Sequence, residues 1–209
     1  DTNPNKKFSY GIRMDLTKFF NKEFYENKIS NEVKVSAKYK ISNKLTLGLE
    51  SETRKKTDDI GFLQKKYGEI HFGRRDIKSV ENSLDLNFNI DNYKYLSLRF
   101  RNFWSTANYD NVLFSLKNDG MRELTDHSKL DFDPNTNFNL WNLDLNFDWW
   151  FSPGSTITLQ YKNQIFNRDN ESGLKYYKSL KNLFNFPVEH QLSLRINYLI
   201  DFNKLRIND

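Results

Sequence analysis

The 209-residue sequence contains no cysteine. That excludes disulfides, thiolate metal sites and cysteine nucleophiles together. No apolar run approaches the ~18–20 residues that a membrane-spanning helix needs, so a helical membrane protein is excluded as well. Apolar residues make up only 37%, below the ~45–50% usual for globular chains, a figure that also counts glycine. A block of one-signed charge is missing too. The 32 Lys+Arg and 27 Asp+Glu give a net charge of +5 and are interspersed, which lends nucleic-acid binding no support. No G-x-S-x-G, P-loop or H-E-x-x-H motif occurs. The chain opens Asp1-Thr2-Asn3-Pro4 without an initiator Met or an apolar leader. The expectation is a mature or excised segment, with any export signal upstream.

What the sequence does have is aromatic residues, 18 Phe, 11 Tyr and 4 Trp, or 16%, together with 27 Asn. Disordered chains are poor in aromatics, so the composition argues against disorder. A mean hydropathy of −0.80 suits a soluble chain, yet the order of the residues says more than their average. From Tyr25 to Ile41 the odd positions include Tyr25, Ile29, Val33, Val35, Ala37, Tyr39 and Ile41. The even positions include Glu26, Lys28, Glu32, Lys34, Lys38 and Lys40. Only a strand, with its period of two, segregates residues in this way.

The same alternation predicts eight strands, at about 7–18, 25–41, 44–54, 68–90, 93–104, 138–151, 156–166 and 189–202. In the fourth, Ile70, Phe72, Val80, Leu84, Leu86, Phe88 and Ile90 keep one parity across the polar Gly73-Arg74-Arg75-Asp76. A one-residue slip would have moved every later side chain to the other face, so this reads as one long strand that projects beyond the apolar zone, with room for a bulge at its midpoint. Short turns at Ser42-Asn43-Lys44, Asp91-Asn92 and Ser152-Pro153-Gly154-Ser155 alternate with long connections at 19–24, 55–67, 105–137 and 167–188. All short turns then fall on one rim and all long loops on the other. Tyr176 to Phe184 has helical spacing, and Pro187 ends it.

Eight alternating strands fit a lipocalin-like barrel with the apolar face inward, or an outer-membrane barrel with it facing lipid. Three features favour lipid. The apolar stretches are about 9–11 residues, the length of a tilted membrane strand. Aromatics on the apolar face gather at two levels, as an aromatic girdle of Tyr25, Tyr39, Trp104, Trp141, Trp149, Phe151, Tyr198 and Phe202. The loop asymmetry is that of such barrels. The opposite face would then line the interior. There Glu50, Glu52, Arg99, Arg101, Asp144, Asp148, Lys162, Glu189, Arg195 and Asp201 form a lumen charge network. Its signs are nearly balanced, which suits ion pairing better than a selective pore.

A family resemblance adds to this. Glu69-Ile70-His71-Phe72-Gly73-Arg74-Arg75-Asp76, the run from Phe138 to Ser155, Tyr161-Lys162-Asn163-Gln164-Ile165-Phe166 and the ending Leu192 to Phe202 resemble a group of large Bacteroidota envelope proteins classed under a domain of unknown function. The resemblance runs from about residue 25 onward. It implies an N-terminal carbohydrate-binding module of the family-nine type, which this sequence does not contain, followed by a C-terminal outer-membrane β-barrel. It also implies that the segment is the last part of a longer barrel, whereas eight strands can also close alone.

Candidate sites are few. Two adjacent arginines, Arg74 and Arg75, could bind an acidic glycan or a phosphate. Alternation sends them to opposite faces, however, so pairing with Asp76 or nearby carboxylates is the plainer expectation. Asp131, Asp133 and Asn135 place oxygens at every second position, as calcium loops do, but Thr136 and Asn142 stand where an EF-hand has Gly and Glu. They are a calcium candidate, against the alternative of a turn entering the sixth strand. His71, His127 and His190 lie far apart and form no ligand pattern. Glu50 and Glu52 share a face, but in a barrel such pairs belong to charge networks.

The expectation is therefore an all-β, antiparallel, up-and-down transmembrane β-barrel over residues 1–209, with eight strands that close or belong to a larger barrel. It would anchor a larger cell-envelope protein in the outer membrane of a Gram-negative bacterium and meet membrane lipid, lipopolysaccharide and other outer-membrane complex subunits. No cofactor, no nucleic acid and no catalytic residue are expected. The alternatives are a soluble lipocalin-like barrel holding an apolar ligand, and an outer-membrane enzyme with its site in the long loops.

Overall fold

Residues that alternate strictly can bury or expose one face only if the backbone is extended, and extended backbone must find partners for its N–H and C=O groups. In the computed structural model of the chain those partners are neighbouring strands of a single antiparallel sheet. The structure describes residues 2–3, 5–22, 26–66, 68–125 and 130–200. The strands are β1 (Phe8–Asn21), β2 (Glu26–Lys40), β3 (Leu45–Lys66), β4 (Glu69–Asn89), β5 (Lys94–Leu116), β6 (Arg122–Thr125), β7 (Thr136–Ser152), β8 (Ser155–Asp169) and β9 (Glu189–Asn197). One helix, α1 (Tyr176–Leu183), precedes β9. The order across the sheet is β1-β2-β3-β4-β5-β7-β8-β9, and β6 folds back onto the far end of β5.

The fold is therefore all-β and antiparallel. Among the described residues no helix is long and apolar enough to cross a membrane. The sheet is not closed into a barrel: among the described residues β1 pairs only with β2 and β9 only with β8. The eight strands do not complete a cylinder among themselves, so the expectation that they could close alone is corrected. The outer edge of β1 is occupied at Tyr10, whose carbonyl accepts from the Thr2 amide at 2.9 Å and whose amide donates to Thr2 Oγ1 at 2.8 Å.

Two expected loops turn out to be strand. Most of 55–67 belongs to β3, and 105–116 belongs to β5, with β6 inside what remains of the third long connection. The reason is legible in Ser51 to Asp59, where polar residues occupy both parities and the period-two signal vanishes. Pairing with β4 holds that backbone extended without any help from hydrophobic alternation. The strand β4 runs unbroken through Gly73-Arg74-Arg75-Asp76, with a register shift against β5 between Gly73 and Arg75. Above Thr57, where β2 ends its pairing with β3, β3 to β6 continue as a narrower projection. Its interior holds Leu113, Phe114 and His71.

Tight turns have the chemistry that they need. Ser42 Oγ accepts from the amides of Lys44 and Leu45 at 3.2 and 3.1 Å. Asp91 accepts from the Tyr93 amide at 2.8 Å, and this bond, then Lys94, holds its carboxyl below the usual range. Gly68 and Gly154 adopt φ of 85° and 72° at the β3–β4 and β7–β8 turns, a region that L side chains rarely enter.

In the projection, Arg75 donates to Asp59 at 2.9 Å and to Tyr109 Oη at 2.7 Å, and Lys28 lies 3.5 Å from the same Asp59. Arg74 points to the other face and donates to Asp110 at 2.6 Å. The two arginines thus part company, each on a carboxylate of a neighbouring strand. A Cβ on Gly61 would lie 2.3 Å from Arg75 Cζ. Gly61→Ala is therefore expected to displace the guanidinium and destabilise the projection by about 1–3 kcal/mol. Unfolding midpoints would show this, and the loss should shrink in an Arg75→Ala background. Equal losses in both backgrounds would mean that the glycine accommodates something else.

Candidate functional site

Because the sheet is a single layer, each of its faces must be read as a surface. Register aligns one transverse row across eight strands: Phe8, Tyr39, Leu47, Leu86, Leu98, Leu145, Tyr161 and Leu192. All eight are apolar or aromatic. The next row toward the short turns adds Leu45, Phe88, Leu96, Phe147, Leu159 and Leu194. Nothing among the described residues covers this band. The band is most open at its two edges, where Met14 is 74% and Leu192 71% exposed, and half-buried in its middle, at Leu47, Leu86, Leu98 and Leu145. Among the described residues the buried apolar side chains are Trp104, Leu113, Phe114, Ile165 and Leu183. Continuous apolar surfaces of this kind are characteristic of interaction sites.

At the short-turn end of the band, Trp149 packs edge-on to Phe151 with centroids 5.9 Å apart, and Phe151 stacks on Tyr198 at 6.3 Å. Tyr39 packs against Phe8. At the other end the structure departs from the expected girdle. Trp104 is only 5% exposed, and Trp141 lies between Phe100 and Phe184, 4.0 and 5.0 Å away. Helix α1 lies over both, so neither forms an open rim. Tyr25 and Phe202 fall outside the described residues.

What holds α1 there is polar. Its eight residues are too short to be stable as an isolated helix, and Ser179 and Leu183 on its inner side are buried. Tyr176 Oη donates to Asn102 Oδ1 at 2.8 Å and accepts from Asn82 Nδ2 at 3.0 Å. Burial pushes the Tyr176 hydroxyl above its ordinary pKa, against the Asn82 bond that lowers it. Asn102 Nδ2 donates to Asn139 Oδ1 at 3.0 Å, Asn139 Nδ2 to Ser179 Oγ at 3.2 Å, and Ser179 Oγ to Asn137 Oδ1 at 3.2 Å. Trp104 Nε1 donates to the same Asn137 oxygen at 3.0 Å. These buried amides are satisfied by one another, which is what makes their burial tolerable. Periodicity alone did not find them, because Asn102, Asn137 and Asn139 occupy the apolar parity. The interruption of that parity by asparagine was the available signal.

The opposite face carries the charges. One row reads Gly48, Asp85, Arg99, Asp144, Lys162, Gln191, alternating in sign through its middle. Arg99 donates to Asp85 at 2.6 Å, and Lys162 lies 3.6 Å from Asp144. Glu50 pairs with Lys34 at 2.7 Å, and Glu52 with Arg54 at 2.9 Å. Asp148 accepts from Thr158 at 2.7 Å. Gln160 donates to Asn146 at 2.7 Å. Arg101 stands in register between Ser83 and Asn142, while Glu189 and Arg195 sit on the edge strand β9 opposite Gln164 and Thr158. Asp201 lies outside the described residues. Two open troughs of about 550 and 330 Å³ run over this face, meeting at Asp85 and Asn87.

The calcium candidate disperses. Asp131 pairs with Lys66 at 2.8 Å, and that hydrogen bond holds its carboxyl below the usual range. Asp133 accepts from the Asn135 amide, and Asn135 accepts from the Tyr109 amide, both at 2.9 Å. Asp133 and Asn135 serve the entry to β7, while Asp131 is tied to the end of β3 through Lys66. Among the described residues no three His, Asp or Glu converge as metal ligands. His127 lies outside the described residues.

Residues 1–208 match the model of one family, Domain of unknown function (DUF5916), and the chain belongs to that family. No curated protein matches. Among solved structures, the crystal structure of the P. putida toluene transporter TodX is similar at a TM-score of 0.33 and 12% identity, over 76% of this chain and 52% of that one. The chain thus spans about half the length of that transporter.

Asn139→Leu would remove one hydrogen bond each from Asn102 and Ser179 inside the covered network, leaving Asn102 with Tyr176 and Leu140 and Ser179 with Asn137. The expected cost is about 1–3 kcal/mol, felt first as undocking of α1. Limited trypsin digestion should then cut after Lys178 or Lys181 about tenfold faster than in the parent protein. An unchanged cleavage rate would show that apolar contact alone holds the helix.

Proposed function

We propose that this member of the DUF5916 family is part of a transmembrane β-barrel wall in the outer membrane of a Gram-negative bacterium, anchoring a larger cell-envelope protein. The observation that carries the reading is the uncovered apolar row across eight strands, backed by a charged and amide-rich face on the same strands. Lipid on one side and a wet interior on the other is the environment in which both faces are favourable. On β7 the band runs from Trp141 to Phe151. At ~3.3 Å per residue those 11 residues cover about 33 Å of strand, or about 25 Å of height at a tilt of ~40°, the thickness of a barrel's apolar belt.

The open edges support a larger barrel. Unpaired backbone along β1 and β9 would be costly within hydrocarbon, so on this reading further strands of the parent protein complete the wall. Several charges of that face are paired with each other, as Arg99 with Asp85, Lys34 with Glu50 and Lys162 with Asp144, which suits a wall or a filled interior better than a selective pore. The resemblance to envelope proteins with a carbohydrate-binding module supplies the rest: the anchored protein binds or processes glycans through other domains. No catalytic step is assigned to this segment.

The intact protein should need detergent for extraction, should float with vesicles in a density gradient and should migrate differently on a gel with and without heating. Leu98→Arg, in the middle of the band, should destabilise it by about 2–4 kcal/mol, and Ser97→Arg on the charged face far less. A monodisperse protein obtained without detergent would overturn the membrane reading in favour of a soluble barrel with an apolar interior.

A further inference from the structure

Helix α1 lies on the apolar face, not on the charged one. Its inner side covers Asn102, Asn139 and Trp104, residues of the same parity as the band below. Register fixes its level: on β5 the face changes from Phe100 to Asn102 within one step, and on β7 from Trp141 to Asn139. Phe184, at the end of the helix, touches Trp141, the last aromatic of the band. The helix therefore begins where the apolar band ends, on the rim opposite the tight turns.

The outward side of this segment is unusual for an otherwise balanced chain. Tyr177 is 81% exposed, and Phe184, Phe186 and Val188 are exposed with it. Lys175, Lys178 and Lys181 stand exposed beside them. None of the three lysines is paired with a carboxylate of the described residues, as is also true of exposed Lys38, Lys55 and Lys78; what sets the three apart is their place on one short segment. The helix itself, YYKSLKNL, has no acidic residue. Aromatic and apolar side chains alternating with unpaired lysines, continuous with a lipid-thick apolar band, make the surface of an interfacial helix.

We infer that the segment from Lys175 to Val188 is an interfacial foot that lies on the outer-leaflet surface and binds the phosphate groups of an anionic glycolipid through Lys175, Lys178 and Lys181. This rests on the membrane reading above. On that reading the long-loop rim faces outward, so the lipid at this level is the phosphorylated glycolipid of the outer leaflet. The foot also accounts for the buried amides. They lie just above the hydrocarbon, where α1 shields them from the headgroup region and they shape its seat.

Because the sequence lacks cysteine, single cysteines can be placed for labelling. Tyr177→Cys, carrying a fluorophore, should be quenched by a headgroup-attached spin label in phosphatidylcholine vesicles containing diphosphoryl lipid A. The same label at Asp119→Cys, in the β5–β6 turn at the tip of the projection, should not be. In mild detergent the variant with Lys175, Lys178 and Lys181 all changed to Gln should bind diphosphoryl lipid A more weakly by on the order of tenfold or more, and should bind dephosphorylated lipid A as the parent does. Failure of the intact protein to float with vesicles sinks the membrane reading and the foot with it. Flotation with an unquenched Tyr177→Cys label, or undiminished lipid A binding by the triple variant, overturns the foot alone.

Discussion

A strand sends alternate side chains to opposite faces, and among the described residues only α1 lies over the sheet to modify that rule. The backbone ladder is the one constraint on which everything else depends. Once β1 to β9 are in register, Phe8 must share a level with Leu98 and Leu192, and Asp85 must meet Arg99. The apolar and charged surfaces are then two consequences of a single set of hydrogen bonds. A shift of one residue in any pair would move leucines among the aspartates. Each face therefore protects the register that creates the other.

The same constraint explains why the conventional signs of stability are scarce. The few buried apolar side chains lie in the projection and under α1, and the broad middle of the sheet has no apolar interior. A sheet so built is stable only if its surroundings supply what a second layer normally would. On its charged face, cross-strand pairs such as Arg99–Asp85 and Glu50–Lys34 do part of this. Exposed pairs of that kind contribute little each, so their larger effect is to forbid alternative registers. On the apolar face nothing within the described residues takes the role, and an apolar solvent is the simplest partner that could.

How much of this was legible depended on whether hydrophobic alternation or backbone pairing alone set the structure. Where alternation was strong, as in β2 and β7, the strands fell where the sequence put them, and Tyr176 to Phe184 read correctly as helical with Pro187 beyond it. Where both parities were polar, from Ser51 to Asp59, the strand was hidden, since its extended backbone is held by β4 and by pairs such as Arg75–Asp59. The splitting of Arg74 from Arg75 followed from parity. The covering of Trp104 and Trp141 did not, because a helix far along the sequence from both decides it. No local pattern marks where such a segment will land; only the asparagines at apolar parity hinted that something polar would sit there.

Those asparagines also bear on how the two faces end. Above Phe100 the surfaces exchange character. Asn102, Asn137 and Asn139 take the formerly apolar side, while Phe103, Phe138 and Leu140 take the formerly charged one. A barrel wall crossing a bilayer must lose its apolar exterior where the hydrocarbon stops, and amides alone would meet that requirement as exposed polar groups. Here they are covered and mutually hydrogen-bonded beneath a helix that carries lysines on its far side. The boundary is thus built in two stages, a satisfied amide layer and then a cationic one. Simple exposure of polar groups would need only the first stage. On the proposed reading, the level of α1 at the end of the apolar band places this second stage beside the headgroups of the leaflet.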